Sequence, residues 1–421
     1  MSLNAPRGTN DILPPVSLKW QYILDKARDL MERYNYKEIK TPIFEYTELF
    51  QRGIGEVTDI VEKEMYTFED KGGRSLTLRP EGTASVMRSF MEHKIYGRAQ
   101  PSKYFYFGPM FRYERPQSGR YRQFYQFGAE ALASNDPAID AEMISMGLTL
   151  MEELGLKESD LEVYINSIGC TECRGDYLEE LKNYLNNHKD KLCDDCKKRL
   201  ERNPLRVLDC KNESCSRVVN DAPKITDYLC EDCNNHFNSV KSYLNQLDVN
   251  YVVDPKLVRG LDYYTNTAFE IKYTGLGAQD TVFAGGRYNG LAEEIGGRDL
   301  PAIGFAMGVE RLLLTLEKED IELPIDNNID LYITTIGDEA KRKGFEYVNL
   351  LRKTGLKTEM DYMGRSVGSQ MKAADRMNAS YTIILGGDEL KSGSATVRNM
   401  KSGEEIDISL DDLVEEMKEI V

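Results

Sequence analysis

The sequence has few histidines and lacks the patterns of two common hydrolytic sites. Only three of its 421 residues are histidine: His93, His188 and His236. A Ser-His-Asp triad and an HExxH zinc site both depend on histidines in arrangements for which these three offer no candidate. The sequence therefore excludes a triad hydrolase and a zinc protease of the HExxH type.

Long apolar segments are also missing. No run of about 18 apolar residues occurs in the chain. The opening residues, Met1–Gly8, have no apolar h-region of the kind found in signal peptides. We expect a soluble cytoplasmic protein with no membrane partner.

The chain is long and acidic. Its length exceeds the size at which one hydrophobic core usually stops growing, which predicts two or three domains. A net charge of -16 argues against a surface that is basic throughout. RNA binding remains possible, because it needs only a local basic patch.

Cysteine is absent from most of the chain and concentrated in one segment. The eight cysteines form four close pairs: Cys170 with Cys173, Cys193 with Cys196, Cys210 with Cys215, and Cys230 with Cys233. Paired thiols in a reducing compartment favour structural zinc over disulfides, and eight thiolates suffice for two tetrahedral sites. The alternative is that these cysteines are reduced and bind no metal.

The segment Tyr104–Glu130 is predicted to form a β-hairpin around the turn Arg115–Arg120, where Pro116 and Gly119 suit the backbone. Side chains alternate between the faces of a strand. One face is predicted to be core, with Phe111, Tyr113, Tyr121, Tyr125, Phe127 and Ala129. The other carries Arg112, Glu114, Arg122, Phe124, Gln126, Gly128 and Glu130.

The second face has the chemistry of a nucleotide site. Guanidinium groups pair with phosphate oxygens, and an aromatic ring such as that of Phe124 can stack on a base. A solvated polar face is the alternative interpretation. The Gln, Gly and Glu that run into the strand end favour a site.

Three further segments contain candidate ligand-binding residues. Arg79–Thr83 follows a short strand and either holds an amino group through Glu81 and Thr83 or ends in a Thr83 helix cap. Leu257–Thr265 contains Gly260 and two adjacent tyrosines, and is either a backbone approach to a ligand or a kinked strand. Ala284–Gly290 lacks the Gly-Lys-Ser/Thr of a Walker A loop and is either a ligand contact or a turn.

Ala302–Leu314 is predicted to run from a strand into a helix, with Arg311 near the helix start. A cation at that position opposes the helix dipole. A bound anion would account for it, and so would a salt bridge to a neighbouring acid.

The order of predicted elements divides the chain. Residues 1–324 form a first domain, interrupted by a polar helical insertion at about 170–235, and the strands on either side of the insertion belong to one sheet. A proline-bearing linker follows, and residues 329–421 alternate strand and helix as a small α/β domain with a largely parallel sheet. Its lysines and arginines, mixed with acids, fit a solvated surface when considered alone.

Together these segments resemble the class II aminoacyl-tRNA synthetases, and within them the bacterial type of histidyl-tRNA synthetase. The helix Leu18–Tyr34 with the strand through Pro42 is similar to the first class motif, which forms the dimer interface. Phe111–Glu114 with the hairpin loop is similar to the second, and Gly308–Arg311 to the third. Arg259–Thr265 and Gly285–Tyr288 are similar to segments peculiar to the histidine enzymes.

The resemblance implies a fold, partners and roles. It implies an antiparallel-sheet catalytic domain of class II with the helical cysteine-rich insertion, a C-terminal α/β anticodon-binding domain, and a homodimer. It also implies ligation of histidine to tRNA(His) through histidyl-adenylate, with ATP bound as its Mg²⁺ complex. Arg112, Arg259 and Arg311 are the implied catalytic residues, at the α-phosphate, between carboxylate and α-phosphate, and at the γ-phosphate respectively.

The remaining implied roles concern the substrates. Adenine would be bound by Glu114 and Phe124. Histidine would be bound by Glu81, Thr83, Gln126, Glu130, Arg259, Tyr263 and Tyr264, and the tRNA acceptor stem by Arg115, Gln117 and Arg120. The cysteine pattern departs from the common insertion of the family, where several of these thiols are absent. The alternative function is a non-catalytic histidine sensor, such as the regulatory subunit of ATP phosphoribosyltransferase, which lacks the C-terminal domain.

Overall fold

A computed structural model describes residues 3–55 and 58–421, apart from the side chains of residues 277–279. Two compact units are present: the first contains residues up to Leu13 and Lys19–Leu323, and the second contains Pro14–Leu18 and Pro324–Val421. Within the described residues, no helix is both long enough and apolar enough to cross a membrane.

The first unit contains both strands and helices, in no regular alternation along the chain. Its strands are β1 (Lys37–Glu38), β2 (Phe44–Tyr46), β3 (Tyr66–Glu69), β4 (Ser75–Leu78), β5 (Ser102–Phe111), β6 (Gln123–Leu132), β7 (Leu161–Ser167), β8 (Val252–Val253), β9 (Thr265–Tyr273), β10 (Thr281–Arg287) and β11 (Ala302–Gly308). The helices up to β11 are α1 (Val16–Arg33), α2 (Thr47–Ile54), α3 (Thr83–Glu92), α4 (Pro137–Glu153), α5 (Thr171–Asn187), α6 (Asp194–Arg202), α7 (Leu205–Leu208), α8 (Glu213–Asn220), α9 (Glu231–Gln246) and α10 (Leu291–Glu294), and α11 (Val309–Lys318) follows.

Eight of these strands form one sheet in the order β1-β5-β6-β11-β10-β9-β7-β8. Its central strands are antiparallel, and only the outer pairs β1–β5 and β7–β8 are parallel. Strands β2, β4 and β3 make a separate small sheet. The strand predicted through Pro42 is interrupted there, as expected for a residue that cannot donate to a ladder.

At two glycines of the central sheet, a neighbouring side chain lies directly against the strand backbone. A Cβ atom on Gly304 of β11 would lie 1.6 Å from Glu130 Oε2, and one on Gly128 of β6 would lie 2.3 Å from the Tyr106 ring. Only glycine therefore fits at either position while the Glu130 carboxyl and the Tyr106 ring occupy the face of the sheet.

The insertion contains α5 to α9 and lies between β7 and β8, which pair with each other, so the predicted continuation of one sheet across it is confirmed. Its apolar side chains, such as those of Tyr177, Leu181 and Leu200, belong to the same buried cluster as Met87 and Phe90 of α3. The insertion is therefore packed onto the rest of the first unit through a shared core.

The second unit is a sheet of five strands in the order β13-β12-β14-β15-β16 with four helices. Its elements are β12 (Leu331–Thr335), α12 (Asp338–Lys353), β13 (Thr358–Met360), α13 (Val367–Arg376), β14 (Tyr381–Leu385), α14 (Gly387–Ser392), β15 (Ser394–Asn399), β16 (Glu405–Ser409) and α15 (Leu413–Ile420).

The prediction of a largely parallel sheet in this unit was only half right. Strands β13, β12 and β14 are parallel, whereas β15 and β16 are antiparallel to their neighbours. Parallel neighbours need a long crossover, and antiparallel neighbours need only a short connection. The segments before β15 and β16 are short, so they give antiparallel pairs.

Candidate active site

One cleft in the first unit gathers most of the predicted site residues. Its walls come from the β5–β6 hairpin, the start of α3, the segment before β9, strands β10 and β11, and the start of α11. Eleven predicted residues line it: Glu81, Thr83, Arg112, Glu114, Arg120, Phe124, Gln126, Arg259, Tyr263, Tyr264 and Arg311. Glu130, Arg115 and Gln117 are outside this lining.

The predicted hairpin is confirmed, but its alternation of faces holds only within the strands. Phe111 pairs with Gln123 at the end of the ladder. Phe124 and Gln126 of β6 both face the cleft, as expected. Beyond Phe111 the chain leaves the strand, so its side chains no longer alternate between two faces. Tyr121, predicted to be core, lines the cleft, whereas the Arg122 guanidinium stacks on Tyr113 at 3.8 Å.

Arg112 is held in place at the mouth of the hairpin. Its Nε donates to the carbonyl oxygen of Pro80 at 2.8 Å, and its guanidinium lies 5.3 Å from the centre of the Phe124 ring. A cation near an aromatic face is stabilised by the ring quadrupole. These contacts fix the Arg112 side chain, so its remaining guanidinium donors can bind an anion with little further loss of conformational entropy.

Arg311 adds a second cation to the same wall. It donates to the carbonyl oxygens of Gly119 at 3.2 Å and Thr281 at 3.0 Å. Burial, and then the positive charges of Arg120 and Arg112, lower the pKa of Arg311. Such mutual repulsion is relieved when a polyanion binds.

Glu114 and Arg120 form an ion pair across the hairpin loop. Both line the first cleft, and both also line a neighbouring cleft that extends to Arg199, Arg206 and Lys211 of the insertion. Arg120 therefore lies at the junction of two clefts, and its carboxylate partner is a residue with a predicted role in adenine binding.

The turn before α3 places a carboxylate at a helix N-terminus. Glu81 accepts hydrogen bonds from the backbone N–H groups of Thr83 at 2.6 Å and Ala84 at 3.0 Å. Burial raises the pKa of Glu81, and these two donors oppose the shift. The alternative in which Thr83 caps the helix is wrong, because Glu81 supplies that contact and Thr83 is already helical.

Glu130 is fully buried behind the cleft wall. Thr83, which does line the cleft, donates to Glu130 Oε1 at 2.7 Å, Tyr106 donates to the same oxygen at 3.4 Å, and Tyr288 donates to Oε2. Burial raises the pKa of Glu130 to about 8, although the hydroxyl donors oppose that shift. Glu130 is thus a buried carboxyl whose proton is retained near neutral pH.

The segment 257–264 is irregular backbone that leads into β9, so the alternative of a kinked strand is wrong. Arg259 forms an ion pair with Glu270 of β9, and its guanidinium lies 5.6 Å from the centre of the Tyr264 ring. The rings of Tyr263 and Tyr264 are 4.7 Å apart, and both are buried. Arg259 therefore reaches the cleft from the segment before β9, whereas Arg112 reaches it from the hairpin.

The glycines of Ala284–Gly290 serve strand packing. Gly285 and Gly286 belong to β10, and a Cβ on Gly285 would lie 2.1 Å from the carbonyl oxygen of Gly304. These two glycines are therefore in a strand and not in a turn, and the crowding by the neighbouring strand accounts for the glycine at position 285. Arg287 is fully buried in an ion pair with Asp140 of α4.

Two residues important to the site were not singled out by the sequence. Glu310 lines the cleft and accepts the Tyr125 N–H at 2.9 Å, and burial raises the pKa of Glu310 to about 7. Glu270 is the partner of Arg259. The signals available for Glu310 were its place in the segment Gly308–Arg311 and its adjacency to Arg311. None existed for Glu270, because its pairing depends on the β9 register.

The eight cysteines form two groups of four within the described residues. The outer cluster is Cys170, Cys173, Cys230 and Cys233, and the inner cluster is Cys193, Cys196, Cys210 and Cys215. All potential ligand sulfurs within a cluster lie within 4.8 Å of one another. The sulfurs of Cys170 and Cys173 are 3.5 Å apart and those of Cys193 and Cys210 are 3.9 Å apart, far longer than the S–S bond of a disulfide, which is about 2.05 Å.

The chain is similar to known proteins along its whole length. Residues 8–312 match the family model described as histidyl-tRNA synthetase, and residues 330–420 match that of the anticodon binding domain. The histidine–tRNA ligase of Halothermothrix orenii is 66% identical over 421 residues, covering 100% of both chains. That of Caldanaerobacter subterraneus subsp. tengcongensis is 54% identical over 99% of this chain and 100% of its own.

A solved structure extends the similarity to the fold. The crystal structure of apo histidyl-tRNA synthetase from S. aureus aligns with a TM-score of 0.84 at 46% identity, covering 99% of this chain and 100% of that one. The predicted class of fold and the predicted family are both confirmed. The chain therefore belongs to the histidyl-tRNA synthetase family of aminoacyl-tRNA ligases.

Proposed function

We propose that this chain ligates L-histidine to tRNA(His) in two steps, through histidyl-adenylate, releasing pyrophosphate and then AMP. The observation that carries the proposal is a single cleft in which Arg112, Arg259 and Arg311 meet Glu81 and Thr83. Three cations suit the phosphates and the carboxylate of the reactants, whereas a carboxylate beside a hydroxyl suits an amino group. The non-catalytic sensor is not favoured, because residues 330–420 match the anticodon binding domain that such a sensor lacks.

The adenylation step needs positioning and charge stabilisation more than a base. The attacking carboxylate of histidine is already ionised at neutral pH, and ATP arrives as its Mg²⁺ complex. Arg112 would hold the α-phosphate and Arg311 the γ-phosphate, with Glu114 and Phe124 on adenine. Arg259, which reaches the cleft from another wall, would bridge the histidine carboxylate and the α-phosphate and stabilise charge that develops there.

The histidine pocket would combine hydrogen-bonding groups with aromatic walls. Glu81 and Thr83 would take the amino group, and Tyr263 and Tyr264 would enclose the side chain. Gln126 Oε1 is buried without a hydrogen-bond partner in the part of the chain that the structure describes, as expected for a group that meets a ligand. Glu130 would act through Thr83, to which it is hydrogen-bonded.

The test of this function is histidine-dependent exchange between ATP and pyrophosphate, measured without tRNA. A pocket built to hydrogen-bond imidazole should prefer histidine over apolar amino acids by about 10⁴-fold, because their binding would leave its polar groups unpaired. An equal or faster exchange with another amino acid would refute the substrate. A chain that catalysed no exchange with any amino acid would refute adenylation.

The transfer step can be separated from adenylation at the hairpin loop. Arg115 and Gln117 are outside the cleft lining, and Arg120 is shared with the neighbouring basic cleft, which suits them to the acceptor stem. Arg115→Ala should slow charging of tRNA(His) by about tenfold, the effect of losing one phosphate contact of some 1.4 kcal/mol, and leave exchange unchanged. Equal losses in both assays would contradict a role in tRNA binding.

A homodimer is proposed from the small sheet of the first unit. Ile43, Phe44, Tyr46 and Phe68 expose between 44% and 56% of their surface. Large apolar side chains grouped on one surface mark interaction sites, and two of these, Ile43 and Phe44, belong to the strand through Pro42 that resembles part of the first class motif. Sedimentation velocity should give twice the 48.0 kDa chain mass, and a 48.0 kDa species at micromolar concentration would contradict the dimer.

Structural zinc is proposed for the two cysteine clusters. A tetrahedral site with zinc–sulfur distances of about 2.3 Å places its sulfurs about 3.8 Å apart, close to the separations of 3.5 and 3.9 Å measured here. Each cluster therefore has the number, kind and spacing of ligands that a closed zinc site requires.

A further inference from the structure

The inner cysteine cluster lies next to the segment that carries Arg259. Helix α6 begins immediately after Cys193 and contains Cys196, and Asn203 directly follows the helix. The short helix α7 comes next and ends shortly before Cys210. The chain between the second and third cysteines of the cluster is thus one part of the insertion that reaches toward the active site.

Two side chains of this part hold the Arg259 segment directly. Asn203 Nδ2 donates to Asp262 Oδ1 at 2.8 Å, and Arg206 Nη1 donates to the backbone carbonyl oxygen of Arg259 at 3.2 Å. Asp262 also donates its N–H to the carbonyl oxygen of Ile54 at 3.0 Å. The irregular segment before β9 therefore takes part of its conformation from the insertion.

Helices α6 and α7 are held by the packing of Leu200, Val207 and Leu208 in the buried core, and the chain at the ends of α7 is less constrained. Helix α7 spans only Leu205–Leu208, far less than a helix needs for independent stability in water. Its neighbours in sequence, Asn203 and Cys210, are in irregular backbone. A metal ion that joins Cys193 and Cys196 to Cys210 and Cys215 would fix both ends of this stretch.

Backbone hydrogen bonds already orient the sulfurs for such an ion. The N–H of Cys193 donates to Cys215 Sγ at 3.1 Å, and the N–H of Asn212 donates to Cys210 Sγ at 3.5 Å. In the outer cluster the N–H of Cys230 donates to Cys173 Sγ at 3.0 Å. Hydrogen bonds to ligand atoms stabilise and orient the ligands of a metal site.

We propose that zinc in the inner cluster positions Arg259 for adenylation, by fixing α6 and α7 so that Asn203 and Arg206 hold the Arg259–Asp262 backbone. Zinc does not take part in the chemistry. It makes the geometry of a residue in the cleft dependent on a metal bound in the insertion. The inference rests on the proposed zinc binding and the proposed adenylation activity.

The outer cluster has a related position at the other end of the segment. Arg174 follows Cys173 on α5 and donates to the carbonyl oxygen of Tyr264. The inner cluster is the better target for a test, because two side chains between its cysteines, Asn203 and Arg206, contact the segment that carries Arg259.

The experiment combines zinc content with exchange kinetics of the full-length chain purified without chelator. The unaltered chain should contain two zinc ions. Cys210→Ser should contain one, and its kcat/KM for histidine should fall by about tenfold or more, since small misplacements of catalytic groups cost up to about 10²-fold. Cys210→His should restore both, because Cys₃His is an established ligand set for structural zinc.

Asn203→Ala removes the hydrogen bond to Asp262 without changing a zinc ligand. It should keep two zinc ions and lower kcat/KM for histidine by about threefold to tenfold, the effect of one lost hydrogen bond. Arg202→Ala, at the neighbouring last residue of α6, removes a side chain that pairs with Glu62. It is the matched control and should change neither quantity. If Cys210→Ser fails to fold, the kcat/KM of Asn203→Ala for histidine decides whether this stretch positions Arg259.

Each component can fail separately. Loss of one zinc in Cys210→Ser with unchanged exchange, or unchanged kcat/KM in Asn203→Ala, would overturn the positioning role and leave zinc binding standing. Less than about half a zinc per chain in the unaltered protein would overturn zinc binding and with it the inference. Exchange without a preference for histidine would overturn the proposed function while the zinc measurement stood.

Discussion

Arg259→His should reduce histidine-dependent pyrophosphate exchange by roughly 10²-fold or more, the usual cost of removing a preorganised charge from a developing oxyanion. An imidazole is shorter than a guanidinium and is largely neutral at the pH of the assay. The variant would no longer bridge the histidine carboxylate and the α-phosphate. Arg112 and Arg311 are on other walls of the cleft, so the affinity for ATP, measured by calorimetry, should change little.

Arg259→Lys is the matched control for this experiment, because it keeps the charge and removes only the planar pair of donors. It should recover part of the lost rate. A fall of less than about tenfold in Arg259→His, roughly 1.4 kcal/mol, would show that Arg259 does not have the proposed role. A large loss of ATP affinity would instead assign Arg259 to nucleotide binding.

Glu130→Gln should lower activity and raise stability, and the gain in stability should grow with pH. Burial raises the pKa of Glu130 from its ordinary value of 4.5 to about 8. Between these values the unfolded chain loses a proton that the folded chain keeps, so the wild-type free energy of unfolding falls by about 1.4 kcal/mol per pH unit relative to the variant. Below pH 4.5 and above pH 8 the difference should be constant.

The activity of Glu130→Gln follows from its contacts. The hydroxyl oxygen of the neutral Glu130 carboxyl can still accept a hydrogen bond, whereas the NH2 group of glutamine can only donate. Thr83 and Tyr288 therefore cannot both keep the acceptor oxygens they have now. With Thr83 no longer fixed, kcat/KM for histidine should fall by about tenfold, the cost of one hydrogen bond to a buried charged or polar group. Functional residues often lower the stability of a protein. Glu130 would be such a residue, because its burial costs stability while its contact with Thr83 supports activity.

Melting temperatures between pH 5.5 and 8.5, together with exchange kinetics at each pH, test both effects. Glu317→Gln is the control, because Glu317 is 52% exposed and its replacement should shift the melting temperature little at any pH. A stability difference between Glu130→Gln and the wild type that stayed flat over this range would contradict a retained proton. Unchanged kinetics would contradict the role through Thr83.

Much of the site was accessible from sequence because its residues occur in short local motifs. A hairpin places Phe124 and Gln126 on one face by alternation alone, and the passage from β11 into α11 fixes Arg311 near a helix start. Where the backbone left regular structure the same reasoning failed, as it did for Tyr121 and Arg122. In the turn before α3, the sequence left open whether Thr83 caps the helix, and the structure shows that Glu81 makes the capping contact.

The sequence alone determined the class of fold and most residues of the cleft, because each motif there carries its own chemistry within a few positions, and its resemblance to known motifs indicated the family. Only the tertiary structure decided contacts between distant segments. These include the burial of Glu130 against Gly304, the ion pair of Arg259 with Glu270, and the division of the cysteines into an outer and an inner cluster. Strand register and helix packing set these contacts, and neither is encoded in the spacing of residues along a single segment.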